Sequence, residues 1–357
     1  MAVFFGAAAV GSALAGRLTD RVGALRGMRF GVAGSIACLL AVAGAARSLP
    51  ALLGFLAVGG FANAACQIGS NALIASRIRV ARQGLAFAAK QSSIPFATLL
   101  GGLAVPAIAL TVGWRWAFVA GAGLALVALV SMPGGGVTAA ERDSAPPGAL
   151  PLAPLAILAV AGGLGAAAGG AIGSFLVASA VDAGIPEDRA GLLLAASSVC
   201  ILVTRLVMGV VADRRGRGFF DLAAIMLALG SIGFVLLSGH RPGPFAVGAI
   251  LAGVTGWGWP GLFNLAVVDH DRSLAAMATG VTQTGVYLGA VVGPLAFGSI
   301  AEHASFPAAW LLTAAVALVA AGIMLVGRTR LRRAGVARPA PGPAPGPAAK
   351  PVPDRCP

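Results

Sequence analysis

The stretch GRLTDRVGALRG at residues 16–27 returns in degenerate form as GVVADRRGRGFF at residues 209–220. The two copies begin 193 residues apart, and each lies where one long apolar stretch ends and the next begins. The repeated unit is therefore a charged turn between two hydrophobic segments. Its recurrence divides the chain into two similar halves.

The composition excludes a water-soluble domain. Hydrophobic residues make up 58% of the chain, charged residues only 10%, and the mean hydropathy is +0.91. The net charge of +13 would favour a nucleic-acid partner in a soluble protein. Here the basic residues are confined to particular turns and to the C-terminal tail, so we interpret them as facing a lipid bilayer surface and predict no nucleic-acid partner.

The apolar stretches predict an all-α integral membrane protein. A helix needs about 20 apolar residues to cross a bilayer core of about 30 Å, and the breaks between such stretches are clear. We predict eleven helices, near residues 2–16, 30–48, 51–75, 84–111, 115–132, 152–180, 190–212, 219–238, 244–268, 274–300 and 307–327.

The breaks also predict the domain organisation. Residues 134–150 are polar and rich in Gly and Pro, which is typical of a linker, so we expect helical bundles at 1–133 and 151–327. Residues 328–357 are basic and then dense in proline, which predicts a disordered tail.

The distribution of basic residues predicts the orientation. If the turn at 17–29 is cytoplasmic, the other basic turns and the tail lie on the same side. The opposite side then receives only Arg47, Arg115, Arg189 and Arg241. The positive-inside rule therefore predicts a multi-pass protein of the cell membrane with a cytoplasmic C-terminus.

The repeated turn resembles the signature between the second and third helices of the major facilitator superfamily, roughly G-x-L-x-D-R-x-G-R-R. The motif GWRWAF at 113–118 resembles the turn between that family's fifth and sixth helices. The matching residues of the repeated turn are Gly16, Leu18, Asp20, Arg21 and Gly23 in the first copy, and Gly209, Asp213, Arg214, Gly216 and Arg217 in the second.

The resemblance implies two pseudo-symmetric bundles of six helices each, which transport a small solute by alternating access. Only 15 residues precede Gly16, so the family's first helix is absent from this sequence. We therefore expect an in-frame upstream extension of about 40 residues that encodes one more span. The alternative is that the sequence is a degenerate product. The Gly-Pro pair of the family's antiporters is also absent from SSIPFATLLGG at 92–102, which weakens a drug/proton antiport interpretation.

Two charged residues, Lys90 and Arg205, lie inside the predicted spans, and no acidic residue accompanies them there. A charge at the bilayer centre costs at least about 2.5 to 3.5 kcal/mol, so each is a candidate for the substrate pathway. The pair predicts an electropositive cavity suited to an anion. Snorkelling of both side chains to the membrane surface is the alternative.

Polar and aromatic residues of the spans are further candidates for the substrate pathway. Asn63, Gln67 and Asn71 recur every four residues on one helix face, and Asn264 lies 193 residues after Asn71. Hydrogen bonding between helices explains such residues equally well. The remaining polar candidates are Gln91 and Gln283. Trp257, Trp259 and Tyr287 are candidates for aromatic walls, and packing is the alternative that we favour for each of them.

The repeated turn itself is a candidate conformational gate. Glycines let two helices approach closely, and an Asp between them can bond an Arg or a helix N-terminus across the interface between the halves. The alternative is that Asp20 and Asp213 only cap their turns. The gate residues are Gly16, Asp20, Arg21, Gly23, Gly209, Asp213, Arg214 and Gly216.

Together these features predict a secondary transporter of a small organic or inorganic anion. The alternatives are a multidrug exporter of the same superfamily and a non-transporting membrane scaffold or sensor. An enzyme is not expected, because the sequence has no nucleophile, acid-base pair, metal-ligand cluster or phosphate loop in a suitable place. We expect a monomer without cofactor or metal, and leave open whether a coupling ion is used.

Overall fold

The computed structural model describes residues 2–132, 150–270 and 272–336, and every element within them is helical. The α-helices of this part of the chain are α1 (Ala2–Val22), α2 (Ala24–Ala45), α3 (Leu49–Arg77), α4 (Gln83–Ala104), α5 (Trp114–Val130), α6 (Leu152–Asp182), α7 (Glu187–Arg215), α8 (Phe219–Leu237), α9 (Pro242–Leu251), α10 (Pro260–His270), α11 (Ala275–His303) and α12 (Phe306–Val336).

Two π-helical segments interrupt this series. Val105–Gly113 joins α4 to α5, and Ala252–Gly256 joins α9 to the turn before α10, so that Pro242–His270 forms one span. Ten helices of the described chain are long and apolar enough to cross a membrane, and α4 is the eleventh helix of the bundle. The prediction of an all-α membrane protein with about eleven helices is confirmed.

The repeated turn reverses the chain through a glycine in each copy. Gly23 separates α1 from α2 with φ 95°, and Gly216 ends α7 with φ 66°. Backbone with φ in this range strongly favours glycine over residues that carry a Cβ. The two glycines occupy the same place in the repeat, which explains why both copies retain them.

Two predicted boundaries are wrong. The first helix runs to Val22 rather than to residue 16, because the backbone leaves the helical conformation only at Gly23, with φ 95°. Residues 328–336 continue α12 instead of beginning a disordered tail. Arg and Leu favour helix, and no proline occurs between Pro307 in the first turn of α12 and Pro339. The predicted linker up to residue 149 and the rest of the predicted tail lie outside the described residues.

The helices pack as two groups, which are α1 to α5 in the first half of the chain and α6 to α12 in the second. In the first, α3 packs on α1 and α2, and α2 also packs on α5. In the second, α6 packs on α11 and α12, and α12 packs on α8. By the sequence repeat, α1 is equivalent to α7, α2 to α8 and α4 to α11, whereas α6 has no equivalent in the described first half.

Small residues join the two groups at two helix crossings. At the crossing of α4 and α7, a Cβ built on Gly209 would lie 2.5 Å from the Ala88 Cβ and 2.8 Å from the Gly84 carbonyl oxygen. At the crossing of α1 and α11, a Cβ on Gly16 would lie 2.9 Å from the Ala276 carbonyl oxygen. These contacts between backbones are possible only for glycine, as in other membrane helix pairs with small residues four apart.

Both crossings lie at one end of the bundle, which we call the basic end. It is defined by the repeated turns at 16–27 and 209–220. The opposite end holds the second resemblance motif. There the guanidinium of Arg115 donates to the carbonyl oxygens of Ala43, at 2.7 Å, and Ala46, at 2.9 Å, at the end of α2. These bonds satisfy carbonyl groups that the helix itself leaves without donors.

The crossing of α4 and α7 predicts a steric effect of Gly209→Ala. We expect this substitution to lower the free energy of unfolding by about 1 to 3 kcal/mol, because the new methyl group overlaps α4. The matched control is Gly191→Ala on the same helix, where a Cβ would have no neighbour within 4 Å. Thermal unfolding of both purified variants is the measurement. Equal midpoints for the two variants would contradict the close crossing.

Candidate functional site

A small cavity of about 60 Å³ lies between the two groups of helices. Its walls come from α3, α4, α10, α11 and the turn before α10. The lining residues are Gln67, Gln91, Ile94, Trp257, Trp259, Pro260, Phe263, Asn264, Gln283, Val286 and Tyr287. All of the polar residues among these are ones that the sequence singles out as pathway candidates.

Three amide side chains of this cavity have unused hydrogen-bonding capacity. Within the described chain, Gln67 Oε1, Gln91 Oε1 and Asn264 Oδ1 are buried and have no hydrogen-bond partner. Leaving a buried polar group unpaired costs about 1 to 3 kcal/mol, so such groups are rare in a folded protein without a reason. Their convergence on one cavity marks it as a place for a polar ligand.

Arg205 lies immediately behind the cavity wall and is only 1% exposed. Its Nη1 donates to the carbonyl oxygen of Gln91 at 2.5 Å, and its Nη2 donates to that of Trp257 at 2.8 Å. The guanidinium carbon also lies 5.6 Å from the centre of the Trp257 ring. Arg205 therefore links α7 to α4 and does not snorkel to the membrane surface.

Both carbonyl groups that hold Arg205 are released from the helical hydrogen-bond pattern by the sequence. Pro95 lies four residues after Gln91 inside α4 and has no N–H to donate to the Gln91 carbonyl. Trp257 lies in the turn that follows the π-helical segment Ala252–Gly256. The chain thus provides two free carbonyl acceptors at the level of the cavity.

Lys90 ends on α3 rather than at the membrane surface. Its Nζ donates to Asn71 Oδ1 at 2.5 Å and to the carbonyl oxygen of Gln67 at 3.2 Å. Asn71 is fully buried, while Gln67 also lines the cavity. No acidic residue of the described chain lines the cavity. The two cations therefore give its surroundings a positive charge.

Tyr287 makes a second polar contact between the two groups of helices. Asn63 Nδ2, on α3, donates to the Tyr287 hydroxyl, on α11, at 2.9 Å. The Tyr287 ring also stacks on Phe5 of α1, with 6.1 Å between the ring centres. Asn63 and Asn71 thus lie outside the cavity wall and act through other side chains.

The aromatic candidates Trp257 and Trp259 combine lining with packing. Trp259 is fully buried and its Nε1 donates to the Gly256 carbonyl oxygen at 3.1 Å. A Cβ on Gly165 of α6 would lie 2.7 Å from the Trp259 ring, and one on Gly169 would overlap the Trp257 ring. The small residues of α6 thus leave the space that these rings fill.

The repeated turn contacts the other half of the chain through Asp213. Its carboxylate accepts the backbone N–H of Gly84 at 2.6 Å and that of Leu85 at 3.0 Å, at the start of α4. The positive end of the helix dipole favours a carboxylate at this position. Asp20 occupies the same place in the first copy, one helical turn after Gly16, whereas Arg214 is exposed.

The apolar lining residues Ile94, Pro260, Phe263 and Val286 are missing from the sequence-based candidates. Ile94 lies three residues after Gln91 and Val286 three residues after Gln283. Side chains with this spacing share one helix face. Ile94 and Val286 could therefore have been predicted from the helix faces that carry Gln91 and Gln283.

Known proteins share the sequence pattern and the fold of this chain. The sequence model of the Major Facilitator Superfamily matches residues 1–154 and 158–352. The human organic anion transporter MFSD10 (TETRAN) has a similar structure, with a TM-score of 0.76 and 16% identity over 90% of this chain and 82% of that protein.

Two sugar symporters are also similar in structure. A crystal structure of the E. coli fucose:proton symporter FucP gives a TM-score of 0.72 with 14% identity, covering 92% of this chain and 89% of its own. The proton:xylose symporter XylE gives a TM-score of 0.73 with 14% identity, covering 91% and 84%. No curated protein sequence matches the chain.

At these identities the structural neighbours establish the fold alone. The family model covers nearly the whole chain, including both copies of the repeated turn. The members of this family are multi-pass membrane transporters of small molecules. By that match, this chain belongs to the major facilitator superfamily.

Proposed function

We propose that this protein is a secondary transporter that carries a small anion across the cell membrane by alternating access between its two halves. The observation that carries the proposal is the position of Arg205. It is a buried guanidinium, one residue layer behind a cavity with unpaired amides, and it has two carbonyl oxygens as hydrogen-bond partners.

The chemistry of these bonds favours an anion as the exchanging ligand. A carbonyl oxygen is a weaker partner for a guanidinium than a carboxylate or another oxyanion, whose charge adds to the hydrogen bonds. The carbonyl groups of Gln91 and Trp257 hold Nη1 and Nη2 of Arg205, whereas its buried Nε has no partner in the described chain. An entering anion replaces these carbonyl groups. Lys90, which donates to the carbonyl oxygen of Gln67, supplies the second positive charge.

A second candidate substrate is a neutral polyhydroxylated solute. It is favoured by the amides of Gln67, Gln91, Asn264 and Gln283, which can donate to and accept from hydroxyl groups beside aromatic rings. An organic anion transporter and two sugar symporters are among the similar structures. The narrow, amide-lined cavity gives no support to a multidrug exporter, which needs a wide apolar one.

Alternating access requires contacts that open and close at each end of the cavity. The glycine crossings and the bonds from Asp213 to α4 join the two halves at the basic end, which supports a role of the repeated turn as gate. By the positive-inside rule this end and the C-terminus are cytoplasmic. We further propose that the transporter works as a monomer and that a coupling ion drives it.

The anion proposal predicts a selective defect in Arg205→Lys. The ammonium keeps the charge but cannot reproduce the planar fork of the guanidinium, so we expect anion uptake to fall about 10- to 100-fold. The measurement is uptake into proteoliposomes of labelled mono- and dicarboxylates, hexoses and quaternary ammonium compounds. The matched control is Arg189→Lys, an exposed arginine on the same helix, for which we expect unchanged uptake.

Lys90→Gln extends this experiment. We expect it to raise the apparent KM for the transported carboxylate while leaving that for a neutral solute unchanged. Equal anion uptake by wild type, Arg205→Lys and Lys90→Gln would contradict the proposal. Selective uptake of hexoses by wild type would favour the neutral polyhydroxylated substrate instead.

The gate assignment predicts a different defect in Asp213→Asn. The loss of a charge-assisted hydrogen bond costs about 1.5 to 3 kcal/mol, so the closed state of the basic end should lose population at least about tenfold. We expect a lower maximal transport rate with little change in substrate affinity, since Asp213 is about 12 Å along α7 from Arg205. Asp20→Asn should act in the same direction.

The control for the gate variants is Asp182→Asn, which removes an exposed carboxylate at the opposite end of the bundle. Substrate affinity is measured by equilibrium binding and transport by initial rates in proteoliposomes. A variant at Asp213 that weakens binding as strongly as it slows transport would argue against a gate.

A further inference from the structure

Two cavities adjoin each other at the basic end of the second half, between α8 and α12. The first, which we call the basic crevice, has a volume of about 110 Å³ and opens at the end of the bundle. Gly218 and Phe219 line it at the start of α8, and Arg328, Leu331 and Arg332 line it on α12. The end of α10, with Asp269 and His270, completes it.

The second cavity, which we call the apolar groove, is larger, at about 590 Å³. It runs along the outer surface between α8 and α12. Ile225 and Leu325, which are both exposed, flank the groove, and Gly322 forms part of its floor. Except for Asp221 at one end, every lining residue is apolar. Such a surface accepts hydrocarbon.

An ion pair connects the two cavities. Arg328 lines the basic crevice, Asp221 lines the apolar groove, and the Nη1 of Arg328 donates to Asp221 Oδ1. The ion pair is partly buried, with 24% and 27% of the two side chains exposed. One molecule with a polar group at one end and a hydrocarbon chain at the other can therefore contact both cavities across this pair.

The charges of the basic crevice leave a positive surplus. The carboxylate of Asp221 is balanced by Arg328, and that of Asp269 is paired with Arg272 at 3.0 Å. Arg332 is exposed and makes no hydrogen bond or ion pair with another described residue. The start of α8 adds backbone N–H groups that can donate to an anion, because the N-cap residue Gly218 has no side chain to accept from them. An anionic group therefore fits the crevice.

The length of α12 places the two cavities at suitable depths in a bilayer. Its 31 residues span about 46 Å, whereas the hydrocarbon core is about 30 Å thick. The last two turns, with Arg328, Arg330, Arg332 and Arg333, thus reach the headgroup layer. The apolar groove, which follows α12 from Leu318 to Leu325, lies within the hydrocarbon.

We propose that the basic crevice and the apolar groove together bind one anionic phospholipid, with its phosphate at Arg332 and Arg328 and an acyl chain between α8 and α12. Basic pockets between membrane helices recognise anionic lipids in this way. The site belongs to the second half alone and lies apart from the cavity that contains Gln91 and Trp257.

The headgroup contact is tested with Arg332→Gln. Full-length protein is delipidated in detergent and titrated with dioleoylphosphatidylglycerol or with zwitterionic dioleoylphosphatidylcholine, while bound lipid is counted by native mass spectrometry. Arg332→Gln removes a charge-assisted hydrogen bond to the phosphate, so this variant should bind phosphatidylglycerol about tenfold more weakly. The matched control, Arg330→Gln, removes the same charge from the exposed face of α12 and should bind like wild type.

The acyl-chain contact is tested with Gly322→Leu, which adds a side chain to the groove at a position where a Cβ has no neighbour within 4 Å. The control is Gly123→Leu, an equally open glycine on the exposed surface of α5. We expect Gly322→Leu to lose the bound phosphatidylglycerol and the control to keep it, while unfolding midpoints of the lipid-free proteins verify that both variants fold.

Three results would overturn the proposal. The first is an equal loss of phosphatidylglycerol in Arg332→Gln and Arg330→Gln, which would indicate general attraction to a basic surface. The second is equal binding of phosphatidylcholine and phosphatidylglycerol. The third is that soluble sn-glycerol 3-phosphate raises the unfolding midpoint of the protein as much as phosphatidylglycerol does, and that Gly322→Leu does not change either effect. This result would indicate a site for free phosphate instead.

Discussion

The contact between glycine backbones at the crossing of α4 and α7 is the constraint on which the site depends. Because Gly84 and Gly209 bring these helices together without side chains between them, Asp213 reaches the first N–H groups of α4. Two turns further along, the same closeness lets Arg205 reach the carbonyl oxygen of Gln91. The gate contact and the buried cation thus follow from one helix crossing.

A buried guanidinium in a membrane helix needs partners, and this chain provides them from its backbone. Pro95 frees the Gln91 carbonyl, and the Trp257 carbonyl is free because Trp257 lies in the turn between the π-helical segment and α10. Neither acceptor carries a full charge, so the positive charge of Arg205 is solvated but not neutralised. An acidic side chain in the same place would have neutralised it and left an entering anion little to gain.

The sequence predicts most of the fold and much of the site. Apolar stretches define the spans, the repeat relates α1 to α7, and amides such as Gln67, Gln91 and Asn264 do line one cavity. The partners of Arg205 and Lys90 are harder to predict, because backbone carbonyl groups carry no residue-specific signal. Pro95 was the available signal, since it lies four residues after Gln91. The C-terminal end of α12 is not predicted by the sequence, because the arginines before Pro339 resemble a basic tail.

The same hydrogen bond can serve both affinity and movement. In this structure, Arg205 of the second half donates to the carbonyl oxygen of Gln91 in the first. If an anion takes over the guanidinium, as we propose, the link between the halves at this level is exchanged for a link to the substrate. The energy of binding then acts against the contact that keeps α4 and α7 together, while Asp213 continues to hold the basic end. A ligand changes a conformational equilibrium only through such a difference in its interactions with the two states. A neutral solute that bonds to the amides without displacing Arg205 would lack this effect, so the charge of the substrate and the mechanism of opening are linked through one side chain.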